Sequence, residues 1–585
     1  MNVVRIGMGS CGLAAGAQSV WTKTEAWLSE HGIVAGLREV GCSGLCHREV
    51  MLEIEEAGRP SLLYGDVTPE NVAGILSGHF LQRRPVEARL IGTDGRLQSA
   101  LHGQTRIASR NCGRIDPSSL EDYLARGGFR ALEQAFDMGA AAVRRLVERS
   151  GLRGRGGGGF PTGRKWELAA SSPDPVRFVI CNADEGDPGA FMDRNLVESD
   201  PFSVIEGLII AGLSIGAQRG YVYVRHEYPN ALARMQQAIL EARFRGLLGR
   251  DVAGRGWDFD VEIRRGAGAF VCGEETALIA SIEGHRGLPV LRPPFPTEQG
   301  LFGHPTCINN VETLATVPWI VEHGVDAFRA HGTASSPGTK VFCLAGDIRR
   351  GGMVEVPMGV SLRYVLEDLG GGGERPLKAV QIGGPSGGCI PAELWDTPID
   401  YEALSGLGAM LGSGGLVAMH EGRCMVDVAR FFMTFMAQES CGKCTACREG
   451  TVRLAEILER ICQGGGEQED LQLLERLSGH VEAASLCGLG RSASNPLRST
   501  LRYFRSEYEA HIHEGRCPAG TCHALIRYSI DAPNCDGCQE CLRACPADAI
   551  HRQPRVIPLL IDDEACIRCN ACREACPFDA VKVFS

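Results

Sequence analysis

Two runs of cysteine near the end of the chain constrain its folding more than any other feature. Cys535, Cys538, Cys541 and Cys545-Pro546 recur as Cys566, Cys569, Cys572 and Cys576-Pro577. Each is a C-x2-C-x2-C-x3-C-P run, in which three closely spaced thiolates hold three irons of a cubane and the fourth thiolate ligates the other cluster. By that rule Cys535, Cys538, Cys541 and Cys576 hold one [4Fe–4S] cluster, and Cys566, Cys569, Cys572 and Cys545 hold a second. Zinc ribbons pair two C-x2-C knuckles and have no need of four-membered runs.

A third cluster is expected at Cys441, Cys444 and Cys447, in Ser-Cys-Gly-Lys-Cys-Thr-Ala-Cys-Arg-Glu-Gly. Three thiols cannot complete a cubane, and Cys487 is the expected distant fourth; Gly442 relaxes the turn so that backbone N–H groups can face the sulfurs. A structural zinc would use the same spacing. Cys462, Cys517 and Cys522, with His511 and His513 nearby, suit a structural zinc or are ordinary free thiols. Cys112, Cys181, Cys272, Cys307, Cys343, Cys389 and Cys424 are isolated and read as small buried hydrophobes. Twenty-five Cys, concentrated at short metal-binding spacings, point to a reducing, cytoplasmic setting.

A chain of 585 residues exceeds what one hydrophobic core organises and asks for about three to five units. Residues 1–84 read as a small α/β unit, with strands at Val3 to Ile6 and Gly36 to Val40, a helix through Trp21 to Glu30 and a strand pair after Cys46. Residues 85–119 are polar and suit a linker or an excursion over a neighbour. In residues 120–335, β runs such as Phe178 to Cys181 and Tyr221 to Val224 alternate with helical patterns, as in a parallel α/β domain. A strand-helix-strand insert over 336–420, a helical segment over 421–515, a Cys-containing connector over 516–530 and the duplicated segment 531–585 complete the chain. The net charge, −11, leaves no cation excess for a phosphate backbone, so nucleic acid is not an expected partner. Val204 to Ala217 is interrupted by Glu206 and falls short of the about 18 apolar residues that cross a bilayer. Met1 to Gln18, broken by Gly7, Gly9, Ser10 and Gly12, is not expected to be a leader.

Gly154-Arg155-Gly156-Gly157-Gly158-Gly159-Phe160-Pro161-Thr162-Gly163 precedes Lys165 and the start of a helix. Consecutive glycines let backbone N–H groups approach a phosphate, and the lysine adds charge. A flexible surface turn is the competing reading. The loop lacks the Gly-Lys-Ser/Thr ending of a Walker A motif and the acid downstream of a dinucleotide fingerprint. Three polar clusters follow: Asn182 to Asp187, Gly273 to Thr276, and Cys307 to Thr313. Their amides and carboxylates suit ribityl hydroxyls, ring edges and ribose diols.

Together, and in this order, the glycine loop, these clusters and the Cys441 to Cys487 set resemble the NADH-oxidising flavoprotein subunit of respiratory complex I and its soluble relatives, over residues of about 120 to 515. The fused ends resemble larger forms in NAD-linked hydrogenases, formate dehydrogenases and a benzoyl-CoA reductase complex. The resemblance implies a thioredoxin-like amino-terminal domain, an α/β FMN-binding domain, a β-grasp-like insert, a helical bundle with one [4Fe–4S] cluster and a bacterial-type ferredoxin domain. It implies FMN on Gly154, Arg155, Gly156, Lys165, Asn182, Asn309, Asn310 and Thr313, with Asp184, Gly273 and Glu274 lining the pocket. NAD(H) would stack on Phe160 and Phe295, with Asp187, Glu275 and Arg292 near its polar groups; Glu275 would orient the nicotinamide. Phe270, Asp187 and Leu168 depart from the family's usual Tyr, Glu and aromatic residue. The amino-terminal unit keeps Cys42 and Cys46 as a C-x3-C pair, but of the other pair only Cys11, because Ile6 stands at the remaining thiol position. A [2Fe–2S] cluster there is either absent or completed by an unusual ligand such as Ser10. Implied partners are a thioredoxin-like [2Fe–2S] subunit, a hydrogenase, formate dehydrogenase or acyl-CoA reductase subunit, and ferredoxin. The competing reading is a non-catalytic electron wire or scaffold that has lost nucleotide binding.

Overall fold

The computed structural model describes residues 2–91, 97–553 and 556–584. Its residues form two compact units: Met1–Ala418 with Leu486–Leu489, and Met419–Ser485 with Gly490–Ser585.

The first unit opens with a four-stranded sheet of order β2-β1-β3-β4. Strand β1 (Asn2–Gly7) runs parallel to β2 (Ala35–Val40) and antiparallel to β3 (Leu52–Glu55), which pairs with β4 (Leu62–Tyr64). Alternate strand residues share a face. Val4 and Ile6 accordingly both lie in the core, against Val20, Trp27 and Leu28 of α2 (Ala17–Glu30); α1 (Ser10–Ala14) precedes it.

A second sheet is wholly parallel, with order β7-β6-β5-β8: β5 (Phe178–Ala183), β6 (Arg219–Val224), β7 (Asp260–Arg265) and β8 (Thr306–Asn310). Helices α3 (Thr162–Ala170), α4 (Met192–Ser199), α5 (Pro201–Ile215), α6 (Pro229–Phe244), α7 (Glu275–Ile282) and α8 (Val311–Arg329) connect and flank it. Helix α5 starts with Pro201 after an Asp200 cap and is buried along almost its whole length. The one acid within it, Glu206, is satisfied by Tyr123 Oη (2.5 Å) and the amides of Phe129 and Leu132 (each 3.0 Å), which is how a carboxylate is tolerated in an apolar helix.

A third, mixed sheet of order β10-β9-β13-β11-β12 joins β9 (Thr339–Gly346), β10 (Gly352–Pro357), β11 (Leu377–Ile382), β12 (Gly388–Pro391) and β13 (Gly415–His420). Glu355 of β10 accepts from the amides of Ile107, Ala108 and Ser109 (2.9–3.0 Å) and from Ser109 Oγ (2.5 Å). That carboxylate holds part of the polar 85–119 stretch as an excursion over a neighbour, with Ile107, Cys112 and Ile115 buried. Residues 92–96 of that stretch lie outside the described residues.

In the second unit, α9 (Met425–Glu439), α10 (Thr445–Cys462), α11 (Asp470–Ala484), α12 (Asn495–Tyr503) and α13 (Arg505–His513) precede two small antiparallel sheets. In these, β14 (Arg527–Ile530) pairs with β17 (Val581–Phe584) and β15 (Ile550–Gln553) with β16 (Val556–Ile561). The sequence reading puts β14 in the connector. The structure places Tyr528 and Ile530 in the same core as Cys541, Cys572 and Val581, so the last unit begins at β14, because its first strand completes a sheet with its last. Among the described residues no helix is long and apolar enough to cross a membrane.

Candidate functional site

In the parallel sheet the chain moves from β5 to β6 and β7 on one side, then returns to β8 on the other side of β5. The carboxyl ends of β5 and β8 therefore form the topological switch point, the crevice where open α/β sheets bind ligands. The glycine loop, Lys165, Asn182, Asn309, Asn310 and Thr313 belong to this end of the sheet or are bonded to residues that do. Asn182 Nδ2, at the end of β5, donates to Gly273 O (3.0 Å), and its Oδ1 accepts from the Asp184 amide. Asn309 at the end of β8 accepts from Trp166 Nε1 (3.1 Å). Asn310 caps α8 through Glu312 N (2.9 Å) and donates to Asp193 (2.5 Å).

The glycine loop is closed at its base by Gly154 N donating to Phe160 O (2.9 Å) and Thr162 N to Leu152 O (2.8 Å). Gly157 and Gly159 have φ of +116° and +61°, and a Cβ on Gly159 would come within 2.5 Å of the Tyr401 ring. Gly158 faces open space: a Cβ there would meet nothing within 4 Å. The Arg155 amide donates to Thr313 Oγ1 (2.9 Å) and its Nη2 to Pro337 O (2.7 Å). Arg155 is 1% exposed, yet its Nε and Nη1 have no protein partner. Orphaned guanidinium donors behind a glycine cradle fit an anionic ligand such as a phosphate.

Lys165 of α3 reaches across to Glu275 Oε1 (2.5 Å) and Ile308 O (3.1 Å), and Arg292 stands 3.4 Å from the other Glu275 oxygen. The expected phosphate-binding lysine and the expected nicotinamide-orienting acid are thus partners. Glu274, expected to line the pocket, also has a structural task. Its carboxylate is the cap of α7, accepting from Thr276 N and Ala277 N (3.0 Å each) and from Thr276 Oγ1, so its first task is structural. Asp187 is held by Ser413 Oγ at 2.6 Å, and burial pushes its carboxyl up to about 6. The Phe270 ring lies 2.5 Å from where a Gly186 Cβ would be, so that glycine is needed beneath it. Phe160 and Phe295 are half-exposed, as stacking residues would be, and Leu168 is exposed on α3.

The structure brings together Cys424, His511, Cys517 and Cys522, all buried, with ligand atoms mutually within 4.8 Å. His511 Nδ1 bonds Glu507 O (2.6 Å), which turns Nε2 towards Cys522 Sγ (3.3 Å) and Cys424 Sγ (3.4 Å). This corrects the sequence reading twice. Cys424, taken for an isolated hydrophobe, joins the group, whereas Cys462 at the end of α10 contacts Cys522 without being one of the four. Cys444 caps α10, Cys447 lies in its first turn, and Gly442 has a φ of +77°. Cys487 immediately precedes a short helix, Gly488–Ser492. In the last unit Cys541 and Cys572 sit on matching short helices, while Cys545 and Cys576 accept from Ala549 N and Ala580 N at the same distance, 3.3 Å. The sequence repeat is therefore a structural repeat.

The amino-terminal cysteines, Cys11, Cys42 and Cys46, also come within 4.8 Å of one another. Ser10 is not the fourth member: its amide and Oγ both bond Glu198, at 2.8 and 2.5 Å. Ile6 is in the core.

Comparison with known proteins gives matches to three family descriptions: Nuo51 FMN-binding domain over residues 147–319, NADH-ubiquinone oxidoreductase-F iron-sulfur binding region over 427–511, and 4Fe-4S dicluster domain over 527–577. The NADP-reducing hydrogenase subunit HndC of Solidesulfovibrio fructosivorans is 53% identical over 449 residues, 76% of this chain and 91% of that protein. An F-type subunit of the NADH-quinone oxidoreductase of Rhizobium meliloti (strain 1021) is 47% identical over 415 residues, 70% of this chain and 99% of that protein. A solved structure of an NAD+-reducing [NiFe]-hydrogenase in the H2-reduced state aligns with a TM-score of 0.63 at 32% identity, covering 88% of this chain and 84% of that one.

Proposed function

The chain belongs to the family of NADH-oxidising flavoprotein subunits that includes the F-type subunits of NADH-quinone oxidoreductases, and on that premise we propose how its residues divide the work of an NAD-linked oxidoreductase. Membership makes it an FMN- and iron–sulfur-dependent electron-transfer component of a multisubunit complex. When bound, FMN takes two electrons from a nicotinamide as hydride and passes them on singly to iron–sulfur centres.

In our reading the glycine loop, Arg155 and Lys165 hold the flavin phosphate, while Asn182, Asp184, Gly273, Asn309, Asn310 and Thr313 bond its ribityl chain and ring edge. Glu274 acts mainly by fixing α7, which presents Glu275. Phe160 and Phe295 flank the nicotinamide nucleotide, with Glu275, Asp187 and Arg292 orienting its polar groups. No general acid is required of the protein, whose tasks are alignment and exclusion of water. The observation that carries this reading is the placement of the glycine loop and the two asparagine clusters at one switch point.

Beyond the flavin we assign a [4Fe–4S] cluster to Cys441, Cys444, Cys447 and Cys487, and two more to the crosswise cysteine sets of the last unit. A structural zinc is assigned to Cys424, His511, Cys517 and Cys522, whose three soft thiolates and one oriented imidazole would suit a closed four-ligand site. The first unit is read as a thioredoxin-like domain, a flavin domain and a β-grasp-like insert. Its partners would be a thioredoxin-like [2Fe–2S] subunit, a catalytic subunit of the hydrogenase, formate dehydrogenase or acyl-CoA reductase class, and ferredoxin. Anaerobic purification of the full chain should yield one FMN, about twelve cluster irons and a flavin bleached by NADH. Iron and cysteine clusters without bound flavin would instead favour the electron-wire reading.

A further inference from the structure

The family resemblance implies a [2Fe–2S] cluster in the amino-terminal unit, and the residues there do not fit one. Such a cluster takes four ligands, two on each of two irons. Only three thiols come together there, and the two positions expected to supply a fourth ligand do not: Ile6 points into the core beside Val4, and Ser10 is tied to Glu198 through both its amide and its hydroxyl. The three sulfurs also lie close together. Cys42 Sγ and Cys46 Sγ are 3.6 Å apart, and Cys11 Sγ is within 4.8 Å of both. Thiolates sharing one tetrahedral ion, at metal–sulfur distances of about 2.3 Å, are separated by about 3.8 Å. A thiolate on a second iron would be displaced by a further metal–metal step.

A carboxylate supports the three thiols from outside the set whose ligand atoms all lie within 4.8 Å of one another. The Glu49 carboxylate hydrogen-bonds the Cys42 side chain and accepts from the Met51 amide (3.0 Å). It fills the space left by two missing side chains: Cβ atoms on Gly7 and Gly12 would lie 3.1 and 3.2 Å from Glu49 Oε2. Cys42 Sγ accepts from Gly44 N at 3.3 Å, and the Arg194 guanidinium stands 3.9 Å from Cys11 Sγ, offsetting the negative charge of the set.

We propose that Cys11, Cys42 and Cys46 bind one zinc ion in place of a two-iron cluster, with Glu49 bracing Cys42 from behind, making the amino-terminal unit a redox-silent structural metal site. Soft thiolates select zinc, and the three thiols would release their protons on binding. The inference is independent of the flavin assignment, since it concerns neither the switch-point crevice nor its ligands.

The test is metal analysis of the full chain, purified anaerobically with its clusters and flavin. The wild type should hold two zinc ions, and Cys42→Ser/Cys46→Ser should lose one zinc, no iron and no flavin. Cys517→Ser should remove only the other zinc, so the two zinc assignments fail separately. Glu49→Gln should lose its zinc to a chelator on the order of ten- to a hundredfold faster. Should the double variant not fold, X-ray absorption at the zinc edge of Cys517→Ser, which keeps only this ion, gives a second reading: three sulfurs and one lighter ligand are expected, and a preparation without zinc overturns the proposal. Loss of one or two irons from the double variant, an unchanged zinc count, or a [2Fe–2S] paramagnetic signal that vanishes with Cys42 would each overturn the proposal.

Discussion

Removing the charge of Lys340 offers the sharpest test of how the flavin domain is held. Lys340 of β9 and Glu312 in the first turn of α8 form an ion pair whose side chains are 0% and 1% exposed. Glu312 also accepts from Val341 N (2.9 Å), and Asn310 and Thr313 of the binding crevice lie within two residues of it. Lys340→Met keeps most of the unbranched side chain but strands a buried carboxylate, which costs about 3–5 kcal/mol. At about 2–4 °C per kcal/mol for a domain of this size, flavin release on heating should come roughly 6–20 °C earlier. Burial already holds the Glu312 carboxyl above its ordinary range, opposed by Lys340, so the variant raises it further. A raised native pKa means the folded state binds more protons than the unfolded one, so stability falls as pH rises between the two values. The deficit should therefore be smallest near pH 5 and grow towards pH 8. Lys340→Met/Glu312→Gln, which retains an acceptor for Val341 N, should recover most of the loss. The assay is flavin fluorescence in thermal ramps at one scan rate across that pH range. A pH-independent loss, or a double variant no better than the single, would show that the stranded charge is not the cause.

Two further outcomes concern function. Glu275→Gln and Phe160→Ala should slow flavin reduction by NADH at least about tenfold, a loss of roughly 1.4 kcal/mol, while bound FMN and iron content stay unchanged; stopped-flow bleaching reads the first and metal analysis the second. Truncation before Ile526, which removes the last unit with its strand β14, should spare NADH reduction of one-electron dyes and suppress transfer to ferredoxin or to a subunit docking there. Undiminished transfer to every partner would make that unit structural.

What could be read from the sequence was whatever depends on near neighbours along the chain. The Cys-Pro repeats are legible because cubane ligation needs short spacing, and β5 and β6 because apolar runs such as Phe178 to Cys181 mark buried parallel strands. Cys424 was not legible, since the imidazole beside it, His511, is 87 residues away and no local pattern surrounds it. Glu274 shares the glycine-flanked company of pocket residues but turns to cap its own helix, a choice decided by backbone geometry. The polar 104–115 stretch looks like a linker because its anchoring acid, Glu355, lies about 250 residues further on. The switch point itself depends on strand order, which no single segment encodes.

Helix α4 bears on anyone who would treat this chain as interchangeable modules. Asp193 at its start bonds Asn310 in the switch-point crevice, whereas Arg194 and Glu198 engage Cys11 and Ser10 of the amino-terminal unit. At 1.5 Å per residue, Asp193 and Glu198 are about 7.5 Å apart on one stiff rod. Exchanging the amino-terminal unit for a relative's would leave Glu198 and Arg194 facing foreign surfaces, and the adjustment would be transmitted to the acid beneath Asn310. A graft at this boundary therefore has to carry α4 with it, and the colour of the bound flavin would report whether the seam had been cut in the right place.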